Sequence, residues 1–140
     1  MLNLHPLPGD GRFYCGPAAI ASFTGLHPKG EVREAINRIR GRKPTRGIIG
    51  MQVHELTAAL NLLGLDAMAI YVNGKKPTLR QFLEANPNFC GVLNVTGHYI
   101  AVSGGMCQDN QSGYIYPIAK FKGIKKRVVC VISVKAKAAP

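Results

Sequence analysis

A chain of 140 residues, 46% hydrophobic and 18% charged, fits one folded domain with its own core and excludes a disordered segment. No apolar run reaches the ~18 residues that cross a bilayer, and Met1-Leu2-Asn3-Leu4-His5-Pro6 has neither a charged n-region nor an h-region, so the expectation is a cytoplasmic protein. The net charge of +11 is gathered in Arg38, Arg40, Arg42, Lys43 and Arg46 and in a basic stretch from Lys120 to Lys137, beyond the last acid, Asp109; such patches can contact an acidic protein or nucleic acid, although no RNA-binding motif accompanies them.

After a loop rich in Pro and Gly from Pro6 to Gly11, Pro17 to Thr24 reads as a short apolar helix stopped by Gly25, with Pro17 at its first position, where a missing N–H costs nothing. Glu31 to Ile39 places Val32, Ala35, Ile36 and Ile39 at three- and four-residue intervals, an amphipathic helix ending at Gly41. A basic linker to Gly50 follows. Met51 to Leu63 repeats the helical pattern, and Gly64 suits a left-handed C-terminal cap. Ala67 to Val72 reads as a strand and Asn73-Gly74 as a turn. Thr78 and Gln81 have capping-box spacing for a short helix reaching Ala85. Strands are then expected at Cys90 to Val95, His98 to Ser103, Tyr114 to Ile118 and Arg127 to Val134, with a frayed Lys/Ala-rich tail over 135–140. Helices first and strands later predict a single α+β domain.

The four cysteines, Cys15, Cys90, Cys107 and Cys130, form no CxxC pair, and nothing in the sequence calls for a cofactor or a metal. Cys90 and Cys130 lie in apolar strand-like runs, where cysteine is usually a small hydrophobe. Cys15 differs, because it stands at the mouth of the first helix. Backbone N–H groups and the positive end of the helix dipole favour thiolate there and make the sulfur a nucleophile. Such a thiol needs an imidazole to take its proton and return it to the leaving group, and a third group to orient that imidazole. His5 and His27 precede prolines in loops and His54 falls on the third helix, whereas His98 opens an apolar strand. Ser103-Gly104-Gly105 reads as the bend after that strand, and the returning arm carries Gln108, Asp109 and Asn110, of which Asp109 is the favoured orienter.

Together Cys15-Gly16-Pro17-Ala18-Ala19, Leu62-Leu63-Gly64, Gly97-His98-Tyr99-Ile100 and Asp109 resemble the papain-like cysteine peptidases that process double-glycine leader peptides, over Arg12 to Tyr116. The resemblance implies a papain-like fold, with N-terminal helices packed on a C-terminal antiparallel sheet. It also implies a triad of Cys15, His98 and Asp109 acting on a peptide or protein substrate. In that family a Gln a few residues before the Cys supplies an oxyanion donor, and the Asp is usually followed by Pro. Here Gly9, Asp10, Gly11 and Arg12 occupy the first place and Asn110 the second, so Asn110 is an alternative orienter and Arg12 or Gln52 a substitute donor. An oxyanion donor is worth ~3 kcal/mol, so its loss without replacement slows turnover a hundredfold or more. Two readings follow: a thiol hydrolase working through an acyl-enzyme, and a catalytically weak papain-like module that binds within an assembly or on nucleic acid. The leader peptidases commonly precede a membrane transporter, and none is contained in these 140 residues, so neither leader processing nor export is carried over as an expectation.

Overall fold

Burial decides where the first helix begins and ends. In the computed structural model, which describes residues 1–9 and 11–138, α1 spans Cys15–Thr24 and buries every residue from Gly16 to Phe23. Gly25 closes it in the left-handed conformation and donates its N–H to Ala21 O at 2.8 Å. Pro17 is the third helical residue, not the first as predicted. The earliest intrahelical bond runs from Ala18 N–H to Tyr14 O at 3.1 Å, so a proline at any of the three preceding positions loses no helical bond.

α2 (Glu31–Arg40) turns Val32, Ala35 and Ile36 inward, with acids in its first turn and Arg38 and Arg40 in its last, the charge order that suits the helix dipole. α3 (Val53–Leu62) begins two residues later than Met51, because the Glu55 carboxylate reaches back to accept the Gln52 N–H at 2.9 Å and fixes the start there. The predicted capping box at α4 (Leu79–Ala85) is present in both directions: Thr78 Oγ1 accepts Gln81 N–H at 3.1 Å, and Gln81 Oε1 accepts Thr78 N–H at 2.9 Å.

Among the described residues six strands form one sheet in the order β1-β6-β2-β3-β4-β5, every neighbouring pair antiparallel. β1 covers Leu65–Tyr71, β2 Cys90–Val95 and β3 His98–Ser103, the last two with the predicted limits. β4 (Met106–Gln108) is the arm expected to return after the Gly104-Gly105 bend, for which the sequence suggested no limits. The predicted strand from Tyr114 shrinks to β5 (Tyr116–Pro117) followed by a 3-10 turn over Ile118–Lys120. β6 (Val128–Ala136) outlasts its prediction. Lys135 and Ala136 pair with Asp66 and Leu65 of β1, so the chain is still laddered where fraying was expected; 139 and 140 lie outside the described residues.

One face of the sheet packs against α1, α2 and α3, where Ile20, Ile36, Leu56 and Leu60 meet Val92, Ala101 and Ile132. All seven are fully buried, and each of the Leu and Ile side chains contributes about 1.5–3 kcal/mol by leaving water. α4 covers the other face through Leu79, against Leu93, Ile100 and Val128. The expected α+β architecture, helices on an antiparallel sheet, is therefore present. At the centre β2 and β6 approach too closely for a side chain at Gly91, whose Cβ would lie 2.0 Å from Ile132 O.

Candidate functional site

The helix face of the sheet and the start of α1 share a boundary, and the site lies on it. Cys15 is the first residue of α1, so its amide and that of Gly16 come before the first intrahelical bond and point with the positive end of the helix dipole. His98 is placed by a hairpin. Val95 pairs with His98, and the two residues between them, Thr96 (φ 53°) and Gly97 (φ 85°), both take positive φ, the signature of a type I′ turn. Gly97 N–H is also held by Asn94 Oδ1 at 2.8 Å. The imidazole therefore stands on the first residue of a strand whose next five residues are all buried.

Three consecutive residues at the end of β4 take three different partners. Gln108, fully buried, accepts Leu7 N–H at 3.0 Å and donates to His5 O at 2.7 Å and Ser22 Oγ at 2.9 Å, tying β4 to the N-terminal segment and to α1. Asp109 Oδ2 lies 2.9 Å from His98 Nε2. Its Oδ1 accepts the backbone N–H groups of Ser112 at 2.8 Å and Gln111 at 3.2 Å, which fixes the carboxylate from behind. Asn110 turns to the segment before Cys15 and donates Nδ2 to Phe13 O at 2.9 Å. Of the two residues open as orienters, Asp109 is the one bonded to the imidazole.

The electrostatics follow from these contacts. Burial pushes the Cys15 thiol up, but the hydrogen bond from His98, the Tyr99 backbone N–H and the nearby imidazolium charge outweigh it and leave the thiol below its ordinary value of 9.0. His98 moves the other way, raised to about 9 by its hydrogen bonds to Asp109 and then Cys15, against a smaller opposing effect of burial. For Asp109 burial favours the neutral acid, and the bonds from His98 and Ser112 reverse that and hold it below the usual carboxylate range. A lowered thiol beside a raised imidazole is the condition for a thiolate–imidazolium pair near neutral pH. His5, His27 and His54 are exposed, and His98 is the histidine that meets both Cys15 and Asp109.

The linker before α3, read in the sequence as a basic connection, also belongs to the site. Its end, Gly50-Met51-Gln52, is tethered from three sides. Tyr99 Oη donates to Met51 O at 3.0 Å, Arg40 Nη2 bonds Gly50 O, and Glu55 holds both the Gln52 N–H and, at 2.6 Å, Arg40 Nε. This strap lies on the start of α1, since a Cβ at Gly16 would fall 2.6 Å from Met51 Sδ. Sequence spacing cannot show it, because its tethers come from β3, α2 and α3. An aromatic hydroxyl one residue after His98 was the available signal.

The two expected substitutes for an oxyanion amide stand apart in role. Gln52 is the N-cap residue of α3, and Arg12 is exposed beside Phe13 and Tyr14. Asp10, in the stretch before Phe13, lies outside the described residues. All four cysteines are free thiols; Cys107 and Cys130 are buried in the sheet, and Cys90 is half-buried on β2. Among the described residues no three or more His, Cys, Asp or Glu side chains converge on a metal position, and no helix is long and apolar enough to cross a membrane.

No protein-family model and no curated protein matches the sequence. Solved structures do match over nearly the whole chain. One is a double glycine motif protease from an AMS/PCAT transporter in complex with the leader peptide, with TM-score 0.58 and 15% identity over 96% of this chain and 100% of that one. Another is the peptidase domain of Streptococcus ComA, a bi-functional ABC transporter involved in a quorum sensing pathway, with TM-score 0.59 and 17% identity over 98% of this chain and 100% of that one. At this identity the likeness establishes the fold, a papain-like peptidase fold.

Proposed function

We propose that this protein is a cysteine peptidase-like hydrolase that cleaves a peptide, isopeptide or amide bond with Cys15 as nucleophile, His98 as base and acid, and Asp109 as the orienter of His98. The observation that carries the reading is His98 interacting both with the helix-mouth thiol of Cys15 and with a buried carboxylate, its Nε2 held by Asp109 Oδ2 at 2.9 Å. Peptidase structures with the same fold, one of them bound to a leader peptide, support a peptide as the substrate.

In this mechanism the Cys15 proton passes to His98, and the thiolate attacks the substrate carbonyl. Negative charge develops on the carbonyl oxygen, where the Cys15 backbone N–H at the helix start is one donor. The tetrahedral intermediate collapses as the imidazolium gives its proton to the leaving amine, and a thioester remains on Cys15. Water, deprotonated by His98, attacks the thioester and releases the acid and the thiol. Asp109 keeps Nε2 protonated and stabilises the imidazolium throughout, the orienting role of a triad acid.

Alkylation of Cys15 tests the reading directly. A Cys15-directed haloacetamide should label the native protein faster than the denatured one, and His98→Ala should abolish the difference. Equal labelling of native and denatured protein, indifferent to His98→Ala, would sink the reading. A catalytically weak binding module is the second reading, supported by Gly9, Gly11 and Arg12 standing where the family carries its oxyanion Gln, and by the basic surface. In its nucleic-acid form it requires binding that weakens steeply with salt.

A further inference from the structure

A cavity of about 170 Å³ opens where the segment before Cys15 and the first turn of α1 meet Lys29 and Arg33, with Gly47 and Ile48 of the linker before α3 completing the wall. Tyr14, the N-cap residue of α1, and Pro17, two residues past the nucleophile, both line it, so it borders the helical turn that carries the thiol. Its polar lining is cationic, from Arg12, Lys29 and Arg33, and none of its described lining residues is acidic. The apolar side is Phe13, whose buried ring lies 5.5 Å beneath the Lys29 ammonium. Arg33 supplies the second, independent observation, because its Nε is buried and has no hydrogen-bond partner. A buried guanidinium donor without an acceptor is a costly arrangement, and a planar carboxylate is the acceptor that matches its fork.

We infer that this cavity is a subsite for an acidic residue of the substrate peptide, whose carboxylate pairs with Arg33 between Lys29 and Arg12. Three cations around a small, partly apolar space select an anion on a short side chain, and the adjoining Tyr14 and Pro17 place that anion within a few residues of the bond facing Cys15. The inference rests on the peptidase reading for its substrate, and its test does not depend on turnover. A free anion such as phosphate shares the chemistry and is separated from a peptide carboxylate by the same experiment.

The test is equilibrium binding to full-length Cys15→Ala protein of fluorescent peptide pairs that carry Glu or Gln at each position in turn, with inorganic phosphate titrated in parallel. A preference of about tenfold for Glu over Gln is expected at one position. It should fall below twofold in Arg33→Gln and, should that variant fold poorly, in Lys29→Gln, with the Gln peptides binding as before. Equal binding of Glu and Gln peptides at every position overturns the inference, as does a Glu preference that survives both substitutions. Phosphate binding that depends on Arg33, with no preference among the peptides, assigns the cavity to a free anion and overturns it as well. None of these outcomes touches the peptidase reading, which fails only on the alkylation of Cys15.

Discussion

Two thiols on opposite faces of the sheet, Cys15 and Cys107, show what moves a thiol's ionisation up or down in this molecule. Both are withdrawn from water, and for both, burial is the largest influence and favours the neutral thiol. Cys107, on β4, is raised to about 11, because its hydrogen bond with Tyr116 offsets little of the burial and the nearby Asp109 charge adds to it. Cys15 ends below its ordinary value because an imidazole and backbone N–H groups face it. The difference lies in partners and not in depth. Asp109 influences both sites with opposite results: it repels a charge on Cys107 directly, while through His98 it supports one on Cys15.

The largest expected effect comes from removing the proposed nucleophile. Cys15→Ser should lower peptide hydrolysis by about 10⁴-fold or more, while Cys107→Ser leaves it within about twofold. Peptide mapping after brief alkylation of native protein at pH 6 to 7 should find Cys15 modified and Cys107 intact. Modification of Cys107 at a comparable rate would break the comparison.

Next comes the coupling through His98. Hydrolysis needs an ionised thiol and a protonated imidazole, so kcat/KM should rise as Cys15 ionises, below pH 9, and fall as His98 loses its proton near pH 9. Asp109→Asn removes the first cause of the raised imidazole. The basic limb should then move down towards the ordinary histidine value of 6.5, with turnover reduced on the order of 10²–10⁴-fold. An unchanged basic limb in Asp109→Asn would show that the carboxylate does not tune His98.

Much of this site was legible because each member carries a local signature. Cys15 begins a helix that Pro17 announces, two residues late, and Gly25 closes, and His98 opens an alternating-free apolar run that only a buried strand accommodates. Asp109 became readable through the Gly104-Gly105 bend, which returns the chain beside β3. What stayed hidden depends on distant pairing. β4 is three residues long and is defined by its ladder to β3, too short for a periodicity to declare itself. Gln108, Asp109 and Asn110 differ little as sequence, and only the packing of β4 against α1 and the N-terminal segment assigns them different partners. The strap and the cationic cavity combine residues from separate helices and loops, which spacing does not connect.

A third prediction concerns the ion pair that holds the strap. Arg40 and Glu55 are 14% and 15% exposed and bonded at 2.6 Å, and the hydrogen bond from Arg40 is the main cause that lowers Glu55 to about 2. A depressed carboxylate stabilises the fold above its unfolded value near 4.5 and loses that contribution as pH falls through about 2. Glu55→Gln should therefore cost roughly 1–2 kcal/mol at pH 7 after allowance for partial solvent screening. Urea titrations from pH 7 to pH 2 should show the gap between wild type and variant closing across that window. A constant gap would assign the effect to packing instead of charge.

The smallest expected effect tests how tightly the imidazole must be placed. Thr96 is the only non-glycine residue among those described with positive φ, and a β-branched side chain is poorly suited to that conformation. Thr96→Asn keeps a two-residue turn while easing the steric conflict, and should stabilise the fold by roughly 0.5 kcal/mol. Because His98 directly follows this turn, a relaxed hairpin also reports on the site. If Thr96 is merely a strained turn residue, the variant unfolds at higher urea with an unchanged rate of Cys15 alkylation. If the threonine sets the seat of His98, the gain in stability is accompanied by slower alkylation, and the reactivity of Cys15 then depends on the hairpin as well as on the partners that distinguish it from Cys107.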